Sequence, residues 1–377
     1  MPRQALLQEF SQRVVQVRSR AFPYRSKQKP HRSWSDYDQA QEHEYPEVLG
    51  LIRVAVDEAS KSYNLVRHDA TGRGGYSSDK IARLILAQQY DGRSDRVSVG
   101  YLRVVGKRIG ASIPDMGYKT LENAYSDYDV MAIINDVFFL TQQPVLELEH
   151  IFSLDGTCFS NTLKANWEST KERLMKKSTG KKGHHGRRQG VRKKKQFEKA
   201  VLAAGTTFKI ITSFVTTGAP NANESPYLKP LFLQIVELYD EVKLMTGDAA
   251  YPSRRNCSLI ASHGAVPRLF PRKNSTFNSK GSSAWRTMLE EFLNDTQKWL
   301  ELYHERSKME TINSTTKRIM PAPVRKRLVM RKATEIAARI CVYNLRQLVY
   351  LKYTKRIDPT MIWTPKYRPV LPNYLTI

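Results

Sequence analysis

Cysteine is scarce in this 377-residue chain: Cys158, Cys257 and Cys341 stand far apart and form no Cys-x2-Cys pair. That excludes a disulfide framework and gives no zinc-ligand spacing. Long apolar runs are missing as well. The most apolar window, 130–140, is interrupted by Asn135 and Asp136 and is too short to span a bilayer. Met1 to Leu7 carries neither a long apolar stretch nor a small-residue cleavage site, so a signal peptide is not expected, and a cytoplasmic protein without a membrane partner is. Acidic residues are few: 36 Asp and Glu stand against 61 Lys and Arg, a net charge of +25 with a pI near 9.9. An excess of this size says nothing about fold but points to a polyanionic partner, with nucleic acid first, an anionic membrane surface second and a ribosomal or packaging role third. Apolar content of 41% is that of a globular protein, and the length allows two domains.

Along the chain, residues 1–20 form an amphipathic pattern with Leu6, Phe10 and Val14 on one side. Residues 23–45 are rich in Pro, Ser, Lys, Arg and Gln and read as a linker. From Pro46 to about residue 143 the periodicity is helical. Pro46 would open one helix, Ser78 would cap a second, 97–109 is a third with Arg103, Lys107 and Arg108, and a fourth begins near Thr120. A helix-turn-helix within 94–128 is compatible with this pattern, as are helices that only pack on one another. Near Pro144 the pattern changes. Residues 145–154 read as a strand ended by Asp155-Gly156, and 197–203 with 207–216 as a hairpin turning at Ala204-Gly205. Ser225-Pro226 opens a helix, 242–248 is a strand ending in Gly-Asp, a helix follows from Pro252 or Ser253, and 266–270 is a strand. Trp285 then begins one long helix ended by Pro321 and Pro323, and a basic amphipathic helix occupies 325–355. An antiparallel start followed by alternating helix and strand implies a mixed α/β sheet with helices on its faces. Residues 176–195 hold ten Lys or Arg, two His, four Gly and no acid. Such a run has no apolar face and repels itself. It reads either as a solubilising tract or as a phosphate-binding loop in which Arg187, Arg188, Lys193 and Lys194 meet DNA.

Three carboxylates stand out by position. Asp155 and Asp248 end strands, where ligands gather in open α/β sheets, and Glu310 lies on a covering helix. Together they can build an all-oxygen site for Mg²⁺ or Mn²⁺. On one uninterrupted helix Tyr303, Arg306, Glu310 and Lys317 would fall within about 60° of one another. A charged helix face is most often only a solvated surface. The strand-end acids favour a face that meets a metal and a phosphate backbone, with Glu310 on the metal and Arg306 and Lys317 on phosphates.

The spacing Tyr303-x2-Arg306-x3-Glu310-x6-Lys317, with Phe152-Ser-Leu-Asp-Gly-Thr157 around the first acid and Met245-Thr-Gly-Asp-Ala-Ala-Tyr251 around the second, resembles the prokaryotic insertion-sequence DDE transposases marked by the Tyr-x2-Arg-x3-Glu-x6-Lys signature. The resemblance covers roughly residues 146–320. It implies an α/β, ribonuclease-H-like mixed sheet core with flanking helices. It implies Asp155, Asp248 and Glu310 as catalytic, metal-binding acids, with two Mg²⁺ or Mn²⁺ ions. It implies Arg306 and Lys317 on end phosphates with Tyr303 beside them, hydrolytic nicking at the terminal inverted repeats, and attack of the freed 3′-hydroxyl on target DNA by a homodimer or larger assembly. Expected domains are a mainly helical, DNA-binding 1–143, a catalytic 144–323 containing the basic loop 176–195, and a basic helix and tail, 324–377. Nucleoid association follows from such a partner. Two other classes share these residues: an inactive transposase-derived DNA-binding protein, and a related metal-dependent DNA nuclease.

Overall fold

The computed structural model describes residues 3–25, 33–63, 76–112, 116–161, 197–219, 222–320 and 323–363. The basic tract 176–195, with Arg187, Arg188, Lys193 and Lys194, lies outside the described residues. The N-terminal part is helical: α1 (Arg3–Arg18), α2 (Trp34–Ser60), α3 (Ser78–Asp91), α4 (Asp95–Val105), α5 (Tyr118–Ala124) and α6 (Tyr128–Leu140). There follow β1 (Ile151–Ser160), β2 (Phe197–Gly205), β3 (Ile211–Thr216), α7 (Leu228–Leu238), β4 (Leu244–Gly247), α8 (Arg254–Ser262), β5 (Val266–Leu269), α9 (Ser283–Asn294), α10 (Thr296–Tyr303), α11 (Ser307–Ile319) and α12 (Val329–Lys355).

The five strands form one sheet in the order β3-β2-β1-β4-β5. β1, β2 and β3 pair antiparallel, and β4 and β5 add parallel to β1. With helices packed around this sheet and a helical part before it, the fold is the ribonuclease-H-like α/β arrangement that the resemblance implied.

Four local expectations are corrected. The expected linker 23–45 contains the first half of α2, and Pro46 lies inside that helix rather than opening it. An internal proline costs about 3 kcal/mol. Contacts upstream and downstream of it offset that cost. The Ser33 side chain accepts from Asp36 N, Glu44 binds Arg346, and Glu47 binds Lys352 and the Tyr353 hydroxyl, while Val48, Leu49, Ile52 and Val56 are buried. The segment looked like a linker because its polar residues face a basic helix, α12.

The second correction concerns β1. It begins at Ile151, after a short 3₁₀ turn at Gln143–Val145, and runs through Asp155 instead of ending before it. The antiparallel ladder with β2 continues from Phe152↔Gly205 to Ser160↔Phe197, so nothing stops the strand at the Asp-Gly step. Third, the long helix expected from Trp285 is broken twice. Asp295 leaves helical geometry (φ −140°, ψ 73°) and its side chain caps α10 by accepting from Lys298 N at 3.0 Å. A 3₁₀ turn at His304–Arg306 then separates α10 from α11. Fourth, the last helix starts at Val329, because the buried Glu335 carboxylate accepts the Arg325 and Lys326 N–H groups and holds those residues before the first turn.

Helix α12 ties the helical part to the sheet. It packs on α2, α3 and α6 and reaches β3. Its Glu335 and Arg339 pair at 2.7 Å inside the protein, and Arg339 also binds Gln89 of α3 and the Pro323 carbonyl. Asn344, fully buried, accepts from Ile211 N and donates to Ile211 O, both at 2.9 Å, and donates to the Thr141 hydroxyl. This amide supplies a strand-like pair to the first residue of β3, next to the register shift in the β2–β3 ladder. Asn344→Ala would strand a buried N–H and a buried C=O, each costing about 1–3 kcal/mol. The urea midpoint should fall by the equivalent of about 2–4 kcal/mol. An unchanged midpoint would mean that Ile211 finds other partners.

Candidate active site

The site is built where parallel pairing stops. β4 pairs with β1 only from Ile151↔Leu244 to Ser153↔Thr246. Continued two residues further, this register sets Asp155 level with Asp248, the residue that follows β4. Asp155 is thus inside a strand yet at the open, carboxyl end of the parallel sheet, where a ligand has access to both acids. Gly247 is packed hard here: a Cβ would meet the Tyr251 ring at 3.0 Å and Leu269 at 3.1 Å.

The loop after β4 is fastened at several points. Asp248 Oδ1 accepts from Ala250 N at 2.8 Å, an Asx-type turn. Arg272 donates to the Ala249 and Ala250 carbonyls at 2.8 and 3.1 Å, and Asn256 Nδ2 donates to the Tyr251 carbonyl at 2.7 Å. Ser253 caps α8 by accepting from Asn256 N.

Asp155 is half-buried, and burial pushes its carboxyl up to about 6. The Arg306 guanidinium opposes this, the neighbouring Asp248 and Glu224 carboxylates reinforce it, and the 2.8 Å bond from Asn313 Nδ2 to Asp155 Oδ2 opposes it again. Arg306 is the cation among these acids. Burial disfavours its charge, yet Tyr303, Asp155, Glu310 and Asp248 together hold it above its ordinary value. It donates to Glu310 Oε1 at 2.5 Å, four residues along the same chain segment. Tyr303 is stacked on Trp299 (centroids 5.2 Å apart) and tilted against Phe270 (5.1 Å), so its ring is fixed. Burial raises its hydroxyl to about 12; Arg306 opposes this, and Asp248, Glu310 and Asp155 add to it. Lys317 is exposed in the last turn of α11.

Asp155, Asp248, Arg306 and Tyr303 therefore share one electrostatic environment. Glu310 joins it through Arg306, with its side chain 62% exposed. Among the described residues no three His, Cys, Asp or Glu side chains converge as a metal-binding group. The donor chemistry nevertheless suits a hard divalent cation. Two carboxylates at one sheet mouth, one of them with its carboxyl raised by burial and repulsion, are all-oxygen donors whose charge a dication would relieve. Glu310 would have to leave Arg306 to become a third ligand.

Sequence reasoning missed four residues. Asn313 lies three positions after Glu310, and that i, i+3 spacing was a readable signal. Glu224, Lys199 and Tyr251 come from three separate segments. Lys199 Nζ binds Glu224 Oε1 at 2.7 Å and the Tyr251 hydroxyl donates to Glu224 Oε2 at 2.9 Å. No spacing in the sequence relates them.

The raised Asp155 carboxyl has a sign that can be tested. The folded state holds this proton more tightly than the unfolded chain, so the group's contribution to stability is full below the ordinary value of 3.8 and is lost as pH rises through about 6. In EDTA, Asp155→Asn should raise the melting temperature at pH 7.5, and the gain should shrink between pH 6 and 4. A gain of equal size at both ends of that range would show that ionisation of Asp155 is not its source.

A family profile described as Transposase DDE domain matches residues 148–345, more than half of the chain. It spans β1 through most of α12 and includes every acid of the sheet mouth. No curated protein matches the chain. With the mixed sheet and its carboxylate mouth described, the profile match shows that this chain belongs to the DDE transposase family.

Proposed function

We propose that this transposase cuts DNA at the terminal inverted repeats of an insertion sequence and joins the freed 3′-hydroxyl ends to target DNA, as a member of the Tyr-x2-Arg-x3-Glu-x6-Lys group. The observation that supports this most is the register that sets Asp155 level with Asp248 at the open end of the sheet, with Arg306 interacting with both and with Glu310. Asp155, Asp248 and Glu310 are the residues that would hold Mg²⁺ or Mn²⁺, whose chemistry here is charge stabilisation of the attacking and leaving oxygens of an in-line displacement.

The chain's own groups have distinct tasks in this reading. Arg306, poised among acids, presents a forked donor to a phosphate. Lys317 lies two helical turns beyond Glu310, roughly 10 Å along α11, and reaches the next part of the backbone. Tyr303, locked by Trp299 and Phe270, is a rigid wall beside the reacting phosphate. Asn313 holds Asp155 Oδ2 so that the other oxygen is free to engage a ligand. Arg187, Arg188, Lys193 and Lys194 are assigned to DNA phosphates on charge alone. The helical residues 1–143 are assigned to end recognition, the core 144–323 to catalysis, and 324–377 to support of both, with two copies holding two ends. No helix among the described residues is long and apolar enough to cross a membrane.

The reading is tested with a duplex carrying the inverted repeat that flanks the gene. Nicks at the repeat end should require Mg²⁺ and vanish in EDTA and with Asp155→Ala. Glu310→Gln should lower the nicking rate by about a thousandfold or more, equivalent to about 4 kcal/mol of transition-state stabilisation, while end binding persists. Retained metal-dependent cutting by Glu310→Gln would remove that residue from the site. Binding without cutting by the wild type, over a range of metals and pH, would identify an inactive DNA-binding descendant. Deleting 176–195 should weaken binding and flatten its salt dependence, each lost phosphate contact lowering the log–log slope by about 0.9. An unchanged slope would show that the tract does not contact DNA.

A further inference from the structure

A fourth carboxylate stands beside the two sheet acids and is absent from the signature. Glu224 lies on the segment before α7, at the start of a short 3₁₀ turn, Ser225–Tyr227. Its carboxylate covers the backbone at Gly156, the residue after Asp155. A Cβ at Gly156 would collide with both oxygens and the carboxyl carbon of Glu224, so a larger residue there would push the carboxylate off this position. Both oxygens are engaged. Oε1 takes the ammonium of Lys199 at 2.7 Å, and Lys199, on β2 opposite Cys158, also binds the Ala222 carbonyl at 2.8 Å. Oε2 accepts the hydroxyl of Tyr251 at 2.9 Å, and Tyr251 is completely buried. The Tyr251 N–H in turn donates to the Asp248 carbonyl at 3.2 Å. Glu224 therefore touches the strand that carries Asp155, the strand beside it and the loop that carries Asp248.

We propose that Glu224 is a positioning residue of the active site, a clasp that holds the Asp248 loop, through Tyr251, against β1 at Gly156 and so fixes how Asp155 and Asp248 stand relative to each other. Its two oxygens already have partners, and Lys199 neutralises its charge, so it acts through those partners and not as a ligand. An ordinary surface ion pair would not need a glycine beneath it, nor a buried phenol on its second oxygen. A carboxylate this close to Asp155 also adds to the repulsion at the sheet mouth. The inference rests on Asp155 and Asp248 being the metal ligands proposed above.

The test uses the full-length protein and the inverted-repeat duplex, with Glu224→Gln and Tyr251→Phe. Each removes one side of the clasp while keeping the side-chain shape. Three quantities are measured: end affinity in EDTA, single-turnover nicking as a function of Mg²⁺, and Mn²⁺ affinity of the DNA-free protein by electron paramagnetic resonance. For both variants we expect end affinity within about twofold of wild type, nicking slowed about tenfold or more with the Mg²⁺ midpoint raised, and Mn²⁺ bound several-fold more weakly. Melting temperature is followed alongside, so that a loss matched by unfolding counts against a positioning role. Wild-type nicking and wild-type Mn²⁺ affinity in Glu224→Gln would overturn the proposal. If the wild type itself does not nick, the functional reading falls, and the Mn²⁺ titration alone decides Glu224: weakened binding supports the clasp and unchanged binding ends it.

Discussion

Repulsion between carboxylates at the mouth of the sheet is the constraint on which the rest of this molecule depends. Asp155 and Asp248 are level with each other where the parallel ladder ends, and Glu224 stands over the next residue of β1. Left alone, such a group would protonate or move apart, since each charge disfavours the next. Two cations hold it in place. Arg306 interacts with Asp155, Asp248 and Glu310, and Lys199 is bonded to Glu224. The arrangement keeps acidic oxygens together at a cost in stability, a pattern expected where a bound cation is to neutralise their charge.

Rigidity of the surroundings makes that arrangement possible. Phe270, Phe292, Trp299 and Tyr303 form one aromatic cluster behind the mouth, mostly edge-on with Tyr303 stacked on Trp299, and Phe10 of α1 packs edge-on against Phe292. The N-terminal segment closes over the same region. Arg25 and Gln297 exchange two hydrogen bonds, at 3.2 and 3.1 Å, and the Tyr24 ring meets His304 at 4.2 Å. On the other side α12 joins the helical part to β3 through Asn344 and to residues 323–326 through Glu335 and Arg339. The helices that precede the sheet and the helix that follows it are packed together, so the two ends of the chain support the same structure.

Much of this was legible in the order and period of the elements. The alternation of helix and strand after residue 144 gave the mixed sheet, and the Gly-Asp end of β4 placed Asp248 at its mouth; Asp155 was expected at a strand end and lies inside β1. Boundaries failed where long-range contacts outvote local signals. Pro46 reads as a helix start, but partners on α12 carry the helix through it. Residues 303–317 also read as one helix face, and there the cause is local: His304–Arg306 tightens into a 3₁₀ turn, so an ideal 100° step does not connect Tyr303 to Glu310. Arg306 and Glu310 still share a face, and pair with each other, because that needs only four residues of local geometry.

The sequence by itself determined the class of the fold, and its charge of +25 and short acid and cation spacings pointed to a polyanionic partner and to candidate site residues, because hydrophobic period, net charge and short spacings are local properties. Tertiary structure alone decided that Asp155 lies within a strand, that Glu224 stands beside it, and that the Glu224 carboxylate lies against Gly156. Those facts depend on the register of β1 against β4 and on a loop nearly seventy residues away in the chain. Such proximity is set by the packing of the whole sheet and leaves no period or spacing to read.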